Sequence, residues 1–460
     1  MQTLAENLPI AFVNSLEHCA GFDRTAFEAV HKAGEKVTSV RLNTAKTQVP
    51  ANIGGQELSP VPWCPGAYYL AQRPSFTFDP LFHAGTYYVQ EASSMFLWSV
   101  LSQVAGEPGG ERVLDLCAAP GGKSTLLASY FHNGLVVANE VIRTRSNVLV
   151  ENSTKWGTGN MVVTNNDPSH FQALPGYFDV MVVDAPCSGS GLFRKDPEAI
   201  SEWSEDNVTL CSQRQQRILA DVYPALKEGG LLIYSTCSYS SEEDEEILDW
   251  LMKEFALESC PVTLQPDWGI VPVSSPEKKA AGYRFYPDKV KGEGFFIAAF
   301  RKKEHSSGTV FVKKNTLLSP ATKQEAVMVA GWLQQSEGLF LFKQKETIIA
   351  VQEKWRDDIA ALQQTLHIRK AGVAIGEIKG KDLVPDHALA LSLLVKKDLQ
   401  VWEFSKENAL QYLRRKDVDM GEAPKGWTLA RYEGVNLGWM KVLPGRMNNY
   451  YPVEWRILKD

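Results

Sequence analysis

The stretch ERVLDLCAAPGGKSTLLASYF, residues 111–131, holds the pattern that decides the fold. Its first seven residues form a short apolar run typical of a buried β-strand, and the segment from the glycines onward has the composition and length of a helix. A turn of small residues joins the two. A strand that passes through such a turn into a helix is the repeating unit of an alternating α/β sheet.

The same alternation continues along the chain. Further strands are predicted at LVVANE, MVVTNND, FDVMVVDAPC and LLIYSTCS, and further helices at TRSNVLVENSTKW, at residues 206–227 up to the Gly229-Gly230 stop, and at EEDEEILDWLMKEF. The segment FFIAAFRKK, 295–303, predicts a closing edge strand. Strands that alternate with helices predict a parallel sheet covered on both faces.

The turn after the first strand does not match either common phosphate-binding motif. A P-loop requires glycine five residues before the Gly-Lys-Ser/Thr triplet, but that position is Cys117 here. The G-x-G-x-x-G fingerprint is absent as well. Small residues nevertheless let a ligand lie against the backbone, and the helix start offers free N–H groups and a positive dipole end. The turn therefore predicts a site for a carboxylate-bearing ligand, with Lys123 as an added charge.

Acidic residues follow the next two strands in register with this turn. Glu140 ends the second strand, where an acid that holds ribose hydroxyls is expected, and Asp167 closes the third. A single acid at such a position is more often a loop residue or a helix cap. The set on successive strand ends favours a nucleoside with a carboxylate tail, which suggests S-adenosylmethionine.

Two cysteines end two later strands. Cys187 follows Asp-Ala-Pro and Cys237 follows Ser-Thr. Parallel strands bring their carboxyl ends to one edge of the sheet, where ligands bind in open α/β folds. We therefore expect both thiols to face one site. The chain has 7 cysteines and no CxxC pair, which gives little support to a zinc site. Four other cysteines do not follow a strand end of this kind and are expected to be inert: Cys19, Cys64, Cys211 and Cys260.

Composition indicates a reduced, cytoplasmic protein without a membrane span or signal peptide. The net charge is −6, but residues 301–460 carry 26 Lys and Arg against 19 Asp and Glu. A basic last third hints at an anionic partner there. The acidic run SSEEDEE, 240–246, invites a metal hypothesis. Its position before an apolar-periodic helix favours a capped first turn instead, and we expect no metal.

Shifts in pattern divide the chain into four predicted domains. Residues 1–100 mix a helical start, LPIAFVNSL, with strand-like pieces such as TSVRLNT and GAYYLAQ. The alternating segment covers 101–303, and EHSSGTV reads as a linker near 303–310. A small mixed domain is predicted at 311–380, and short strands and turns at 383–460.

Four motifs in this order resemble the Nop2/Sun family of RNA cytosine-C5 methyltransferases: CAAPGGK, DAPCSGSG, RKDP and STCS. The segments SVRLNTAKT, YYVQEASSM and GEGFFIAAFRK are similar to the family too. The tail GWMKVLPGRMNNYYP resembles the PUA-like RNA-binding tail of its bacterial RsmF branch. The resemblance implies a Rossmann-like methyltransferase core, a small N-terminal α+β domain, a C-terminal PUA-like domain, and S-adenosylmethionine as cofactor.

The family's site residues carry over position by position. Asp184 matches the acid at the cofactor–base junction, Cys237 the nucleophile, and Cys187 the second cysteine. The chain departs from the family at Cys117, where Ala is frequent, and at Pro168, where Gly is commoner; neither removes a functional group. The resemblance implies these cofactor-binding residues: Cys117, Ala118, Ala119, Pro120, Gly121, Gly122, Lys123, Glu140, Asp167 and Asp184.

The implied reaction is methylation of C5 of cytosine in small-subunit (16S) rRNA through a covalent adduct between Cys237 and C6. Asp184 would donate a proton toward N3, and Cys187 would assist product release. Arg194 and Lys195 are predicted to approach a phosphate or the flipped base. A tRNA substrate and a catalytically silent RNA-binding assembly factor are the alternatives. We expect a monomer whose partner is small-subunit rRNA or its precursor particle.

Overall fold

The computed structural model describes residues 8–47, 53–304, 318–418, 421 and 423–459. The predicted linker near 303–310 falls almost wholly outside these ranges. Across the described residues, no helix combines the length and the apolar character that crossing a bilayer requires.

The N-terminal unit contains a small antiparallel sheet, which two helices precede in the chain. Its strand order is β2-β3-β1-β4, and the predicted strands TSVRLNT and GAYYLAQ are β1 and β3. The elements are α1 (Ile10–Ser15), α2 (Arg24–Ala33), β1 (Thr38–Leu42), β2 (Leu58–Pro60), β3 (Ala67–Leu70), α3 (Pro80–His83), β4 (Tyr87–Val89) and α4 (Leu97–Val104).

The central unit is the predicted alternating α/β segment. Its elements are β5 (Arg112–Asp115), α5 (Gly122–Tyr130), β6 (Leu135–Asn139), α6 (Arg143–Trp156), β7 (Met161–Thr164), β8 (Phe178–Asp184), α7 (Glu198–Glu202), α8 (Glu205–Val222), β9 (Leu226–Thr236), α9 (Glu245–Glu254), β10 (Leu257–Ser259), β11 (Val271–Ser274), β12 (Ala281–Phe285) and β13 (Phe295–Lys302). Strands β7-β6-β5-β8-β9 pair in parallel in this order.

Two predictions for this unit are wrong in detail. Strand β13 is an interior strand, because β12 and then β11 pair beyond it in antiparallel fashion, so the sheet is mixed rather than purely parallel. The helix predicted to reach residue 227 ends at Val222. Pro224 follows closely and cannot continue a regular helix, and β9 already begins at Leu226.

Alternate residues of the central strands enter two apolar cores, one on each face of the sheet. Leu114, Val137 and Met181 pack on one face with α8, α9 and a later helix. Their chain neighbours Val113 and Val136 pack on the other face with α4 and α5. Because side chains of a strand point alternately to opposite faces, these near-continuous apolar runs produce a strand buried on both sides.

The third unit contains α10 (Lys323–Ala330), α11 (Arg356–Thr365), α12 (His387–Leu391) and the strands β14 (Ser319–Pro320), β15 (Leu339–Gln344), β16 (Thr347–Gln352), β17 (Ile368–Ala371), β18 (Val373–Lys379) and β19 (Asp382–Pro385). Five of these strands form one sheet that continues past the predicted boundary at 380. Strand β17 instead pairs antiparallel with β7 and extends the central sheet.

The C-terminal unit is a four-stranded sheet in the order β20-β21-β22-β23 with one helix beside it. Its elements are β20 (Val401–Glu403), α13 (Lys406–Leu413), β21 (Gly426–Tyr432), β22 (Val435–Leu443) and β23 (Arg446–Asn449), followed by a 3-10 turn at Val453–Trp455. Its apolar core includes Ala84 next to α3, so this unit packs against the N-terminal unit.

A buried arginine fixes the N-terminal sheet to the glycine-rich turn. Arg41 on β1 donates hydrogen bonds to the Gln90 side chain at 3.0 Å, the Thr125 hydroxyl at 2.6 Å and the Gly122 carbonyl at 3.2 Å. Burial lowers the pKa of Arg41 to about 10. Three acceptors offset the cost of burying this charge, and they hold the start of α5 in position.

Candidate active site

A cavity of about 300 Å³ opens at the carboxyl edge of β5, β8 and β9. Its walls come from the N-terminal unit, the glycine-rich turn, the two cysteine loops and the start of β13. The lining residues are Tyr88, Val89, Gln90, Glu91, Ser94, Cys117, Ala118, Ala119, Pro120, Gly122, Lys123, Arg145, Asp184, Leu192, Lys195, Cys237, Glu293, Gly294 and Phe295. Most predicted site residues therefore meet in one place.

The two cysteines that end β8 and β9 face each other. Cys187 Sγ and Cys237 Sγ lie 2.9 Å apart, and Cys237 lines the cavity. The hydrogen bond to Cys237, together with burial, raises the pKa of Cys187 well above that of a free thiol. This contact and burial favour the protonated form of Cys187, and Cys237 is the sulfur that lines the cavity.

Asp184 is held between a cation and a hydroxyl. Lys123 Nζ lies 2.8 Å from Asp184 Oδ2, and the Ser235 hydroxyl donates to Asp184 Oδ1 at 2.7 Å. Burial alone would lower the pKa of Lys123, but the attraction and hydrogen bond of Asp184, together with the attraction of Asp115, outweigh burial, so the pKa is raised. Lys123 is therefore held as a cation beside Asp184. Proton donation by Asp184 stays a prediction.

The Glu243 side chain connects the loops that follow β8 and β9. Its carboxylate accepts hydrogen bonds from the Ser188 amide at 2.9 Å, the Ser188 hydroxyl, the Ser238 hydroxyl at 2.6 Å and the Gln215 amide at 2.9 Å. Ser188 and Ser238 directly follow the two cysteines. Burial raises the pKa of Glu243, and its hydrogen bonds oppose that rise.

The acidic run 240–246 places Glu245 and Glu246 in the first turn of α9, as expected, but the expected cap is absent. Asp244 precedes α9 but makes no side-chain cap. It pairs instead with Arg284, which lies 3.1 Å away and also binds Glu245. Within the described ranges, His, Cys, Asp and Glu side chains do not gather in groups of three that could hold a metal ion.

The start of α5 has the features of an anion site. Gly121 precedes the helix in a left-handed conformation, φ 116°, and no side chain caps the first turn. Ala118, Ala119 and Gly122 line the cavity beside it without bulk. The free N–H groups and small residues fit a ligand carboxylate. Below them, burial raises the pKa of Asp115 to about 7, and its Oδ1 lacks a hydrogen-bond partner in the described structure.

The two other predicted cofactor acids lie on neighbouring strand ends but outside the cavity lining. Glu140 is buried; it accepts a hydrogen bond from the Ile142 amide at 2.9 Å and lies 3.5 Å from Arg145 Nη1. Asp167 caps the short 3-10 turn that follows it by accepting from Ser169. Their roles toward a cofactor stay predictions.

The two basic residues predicted to contact RNA have different positions. Lys195 lines the cavity. Arg194 is directed inward: its side chain is 4% exposed, its guanidinium donates to the Glu35 carbonyl at 2.6 Å, and Nε lies 3.7 Å from Glu293. Arg194 therefore braces the N-terminal unit and is not presented at the cavity. Burial raises the pKa of its partner Glu293 to about 7.

The sequence predicts no specific role for several residues that line the cavity. Tyr88, Gln90, Glu91 and Ser94 belong to YYVQEASSM, and Glu293 to GEGFFIAAFRK. The resemblance of both segments to the family indicates that they matter for function. Neither segment contains a pattern that predicts a specific contact. Only the folded structure brings the N-terminal sheet to the cavity.

The aromatic residues of the tail divide between core and surface. Trp439 and Tyr451 are buried. Trp427 and Tyr450 lie nearer the surface with ring centroids 4.5 Å apart, and Lys441 Nζ lies 5.3 Å from the Trp427 ring. This last group keeps the combination of charge and aromatic rings that suits RNA.

Comparison with known sequences identifies the family. A profile of 16S rRNA methyltransferases RsmB/F matches residues 104–301, one of the N-terminal domain of 16S rRNA methyltransferase RsmF matches 8–92, and one of the methyltransferase RsmF PUA domain matches 400–457. Ribosomal RNA small subunit methyltransferase F of Aliivibrio fischeri is 31% identical over 434 residues, covering 90% of each chain. The Citrobacter koseri protein of the same name is 31% identical over 440 residues, covering 90% of this chain and 89% of that one.

Solved structures agree with this assignment. A methyltransferase homologue from Pyrococcus horikoshii is 30% identical with a TM-score of 0.51, and it covers 64% of this chain and 100% of that chain. NSun6 from Pyrococcus horikoshii with SFG has a TM-score of 0.54 at 19% identity, covering 65% and 99%, and indicates a shared fold. The predicted fold class is confirmed. The chain belongs to the RsmF family of 16S rRNA methyltransferases.

Proposed function

We propose that the protein transfers a methyl group from S-adenosylmethionine to C5 of a cytosine in 16S rRNA through a covalent adduct between Cys237 Sγ and C6 of the base. The observation that carries the proposal is the pair of sulfur atoms 2.9 Å apart, one of them lining a cavity next to the Lys123–Asp184 pair. The named relatives, all small-subunit rRNA methyltransferases, support the substrate class.

The residues at the glycine-rich turn suit the cofactor. The free N–H groups at the start of α5 would hold its carboxylate, and Glu140 on the next strand end is our candidate for its ribose hydroxyls. S-adenosylmethionine supplies the electrophilic methyl group when it is bound. The small side chains of Ala118 and Ala119 leave room for it beside the backbone.

Carbon 5 of cytosine is a weak nucleophile until a sulfur atom adds to C6. In the proposed step, the Cys237 thiolate forms a bond to C6, and electron density moves through C5 toward N3. This is covalent catalysis, which replaces one difficult step by two easier ones. Asp184 remains our candidate at the N3 side. Lys123, whose pKa is raised beside Asp184, would supply the positive charge that stabilises the electron density at N3.

Release requires the reverse elimination. The C5 proton leaves to solvent water acting as the base, the electron pair of the C5–H bond restores the C5–C6 double bond, and the C6–Sγ bond breaks. The Cys237 sulfur leaves as the thiolate that first attacked, and the Cys187 thiol lies 2.9 Å from it. The raised pKa of Cys187 keeps this thiol protonated at neutral pH. Cys187 is thus proposed to donate the hydrogen bond that stabilises the leaving sulfur.

Methyl transfer from labelled cofactor to RNA tests the proposal. The purified protein is incubated with naked 16S rRNA, with assembled small subunits and with tRNA, and each RNA is digested to nucleosides. We expect label only in 5-methylcytidine and only in rRNA or subunits. Label in tRNA would favour the tRNA alternative, and no label in any RNA would favour a silent assembly factor. Label in another nucleoside would overturn the C5 assignment.

A further inference from the structure

A second cavity, larger than the first, lies where three units of the chain meet. Its volume is about 500 Å³. Helix α6 contributes one wall, the β15–β16 hairpin and β17 contribute others, and the turn after β23 closes it. The lining residues are Val150, Thr154, Gln344, Lys345, Thr347, Ile349, Arg369, Lys370, Ala371, Ala374, Asp386, His387, Ala388, Pro452 and Trp455. Most of them lie in the interval between residues 301 and 400, which the matched family profiles leave uncovered.

The charge of this cavity is positive. Lys345, Arg369 and Lys370 line it, against one carboxylate, Asp386, whose oxygen accepts the Ala388 amide at 2.8 Å. Among the described residues, Lys370 forms no ion pair within 4 Å, and burial lowers its pKa to about 8. Arg369 donates to the Asn147 side chain at 2.7 Å, and within the described part of the chain its other donors are available to an anion.

An unpartnered histidine marks the same cavity. His387 is 9% exposed, and neither of its ring nitrogens has a hydrogen-bond partner in the described structure. Burial, with the nearby Lys155 and Lys46, lowers its pKa to about 3, so the ring is neutral and offers one donor and one acceptor. A buried polar group without a partner costs free energy, which a ligand that hydrogen-bonds to it would recover. The Trp455 ring lies 5.3 Å away, edge to face.

We propose that this cavity binds one nucleotide of the substrate rRNA strand, with its phosphate at Lys345 and Arg369 and its base beside His387 and Trp455. The inference rests on rRNA as the substrate and goes beyond the methylated base. Cations for a phosphodiester and an aromatic ring for a base are the combination that single-stranded RNA requires.

The position relative to the catalytic cavity fits this role. Arg145 lines the catalytic cavity, and Thr154 on the same helix lines the second one. Nine residues of α-helix span roughly 14 Å. A strand that delivers one base to Cys237 could therefore place a nearby nucleotide in the second cavity along α6.

The test is the affinity of full-length protein for 16S rRNA at several salt concentrations. The variant replaces both phosphate candidates, K345Q and R369Q together. The matched control replaces two exposed lysines of the β18–β19 hairpin, K379Q and K381Q. We expect the first double variant to bind rRNA about tenfold more weakly, with the slope of log affinity against log salt reduced by roughly 1.5, while the control binds like wild type. Equal affinity and slope in both variants would overturn the proposal.

Two further measurements distinguish the expected result from a folding defect and from binding of another ligand. Affinity for S-adenosylmethionine is expected to be unchanged in both double variants; a loss in K345Q/R369Q alone would attribute the effect to misfolding and overturn the proposal. Cytidine 5′-monophosphate and inorganic phosphate are added separately in thermal melts. If either stabilises wild type but not K345Q/R369Q while rRNA affinity is the same in both, the site belongs to a small molecule and not to RNA.

Discussion

At the catalytic cavity, Cys187 and Cys237 have the same thiol chemistry in different surroundings. The hydrogen bond to Cys237 and burial keep the Cys187 thiol protonated, whereas Cys237 borders the cavity. One sulfur therefore suits attack on a base and the other suits donation of a hydrogen bond. This difference arises from position and not from residue type.

The first prediction concerns the two thiols. In C187A the hydrogen bond to the departing sulfur is missing, so we expect a protein–RNA adduct that survives denaturation and is visible as a shifted band on a denaturing gel. C237A should form no adduct and transfer no methyl group, because the attacking sulfur is gone. C211A, at a cysteine away from the cavity, is the control. An adduct in C237A but not in C187A would reverse the two roles.

The second prediction concerns Asp115 and pH. Burial raises its pKa to about 7 in the folded chain, above the value of about 4 expected when unfolded. The folded state therefore binds the proton more tightly, and wild-type stability falls as the pH rises from about 4 to 7. D115N cannot ionise. We expect the free energy of unfolding of D115N, relative to wild type, to rise with pH by up to about 1.4 kcal/mol per pH unit over this window.

Urea unfolding of both proteins between pH 4 and pH 8 measures this difference. Asn can still accept the hydrogen bond that Ser124 donates to Asp115 at 2.6 Å, so the comparison isolates the charge. A difference that does not change with pH would show that Asp115 is not the titrating group.

At the scale of elements, the two loops after β8 and β9 depend on a residue from the turn before α9. Glu243 accepts hydrogen bonds from both loops and so fixes the distance between the two cysteines. Gly191 N also donates to the Cys237 carbonyl at 2.8 Å. A strand end alone leaves a loop several possible conformations, and these contacts select one.

The third prediction replaces this residue. E243A removes the carboxylate that accepts hydrogen bonds from both loops. We expect the methylation rate to fall about a hundredfold, since a displacement of about 1 Å can cost that much. The methylation rate of E243Q should stay within about tenfold of wild type. The side-chain oxygen of the new amide can accept from the Ser188 amide, and its NH2 group can donate to the serine hydroxyls once they rotate. Cofactor affinity should be unchanged in both.

Glu242 is exposed and adjacent, so E242Q serves as the matched control with wild-type activity. The rate of methyl transfer and the amount of adduct formed in a C187A background are the two measurements. Full activity in E243A would show that the cysteine loops hold their geometry without Glu243.

At the scale of the whole molecule, the third unit is joined to the catalytic sheet. Strand β17 covers the edge of β7, and α11 packs on the core beside it. Asp358 on α11 is buried; it accepts from Arg112 Nε at 2.6 Å and from the Tyr177 hydroxyl at 2.8 Å. Both donors belong to the central unit, so this carboxylate connects the two units.

The fourth prediction tests this connection. D358A leaves the buried Tyr177 hydroxyl without an acceptor, and we expect the free energy of unfolding to fall by about 1–3 kcal/mol. Limited proteolysis should also cut the third unit faster. D357A, one residue earlier and exposed, is the control and should behave like wild type. Equal stability of D358A and D357A would show that apolar packing alone holds the units together.

The sequence alone determined the alternating core, the turn that starts α5 and the meeting of both cysteines at one edge of the sheet. These features are local: a strand, its turn and its helix lie within about thirty residues, and parallel strands bring their ends together without further information. The family resemblance was likewise read from contiguous motifs. Such features need no knowledge of distant partners.

Only the tertiary structure decided how each charged side chain is used. Lys123 pairs with Asp184, Arg194 turns inward to Glu293, and Glu243 joins the loops of Cys187 and Cys237. It also placed β13 inside the sheet and β17 at its edge. Apart from the Glu243–Ser238 contact and the pairing of β12 with β13, the partner lies more than fifty residues away in the chain. No local pattern of charge or hydropathy specifies which distant group a buried side chain will meet. Burial then determines which groups keep their protons.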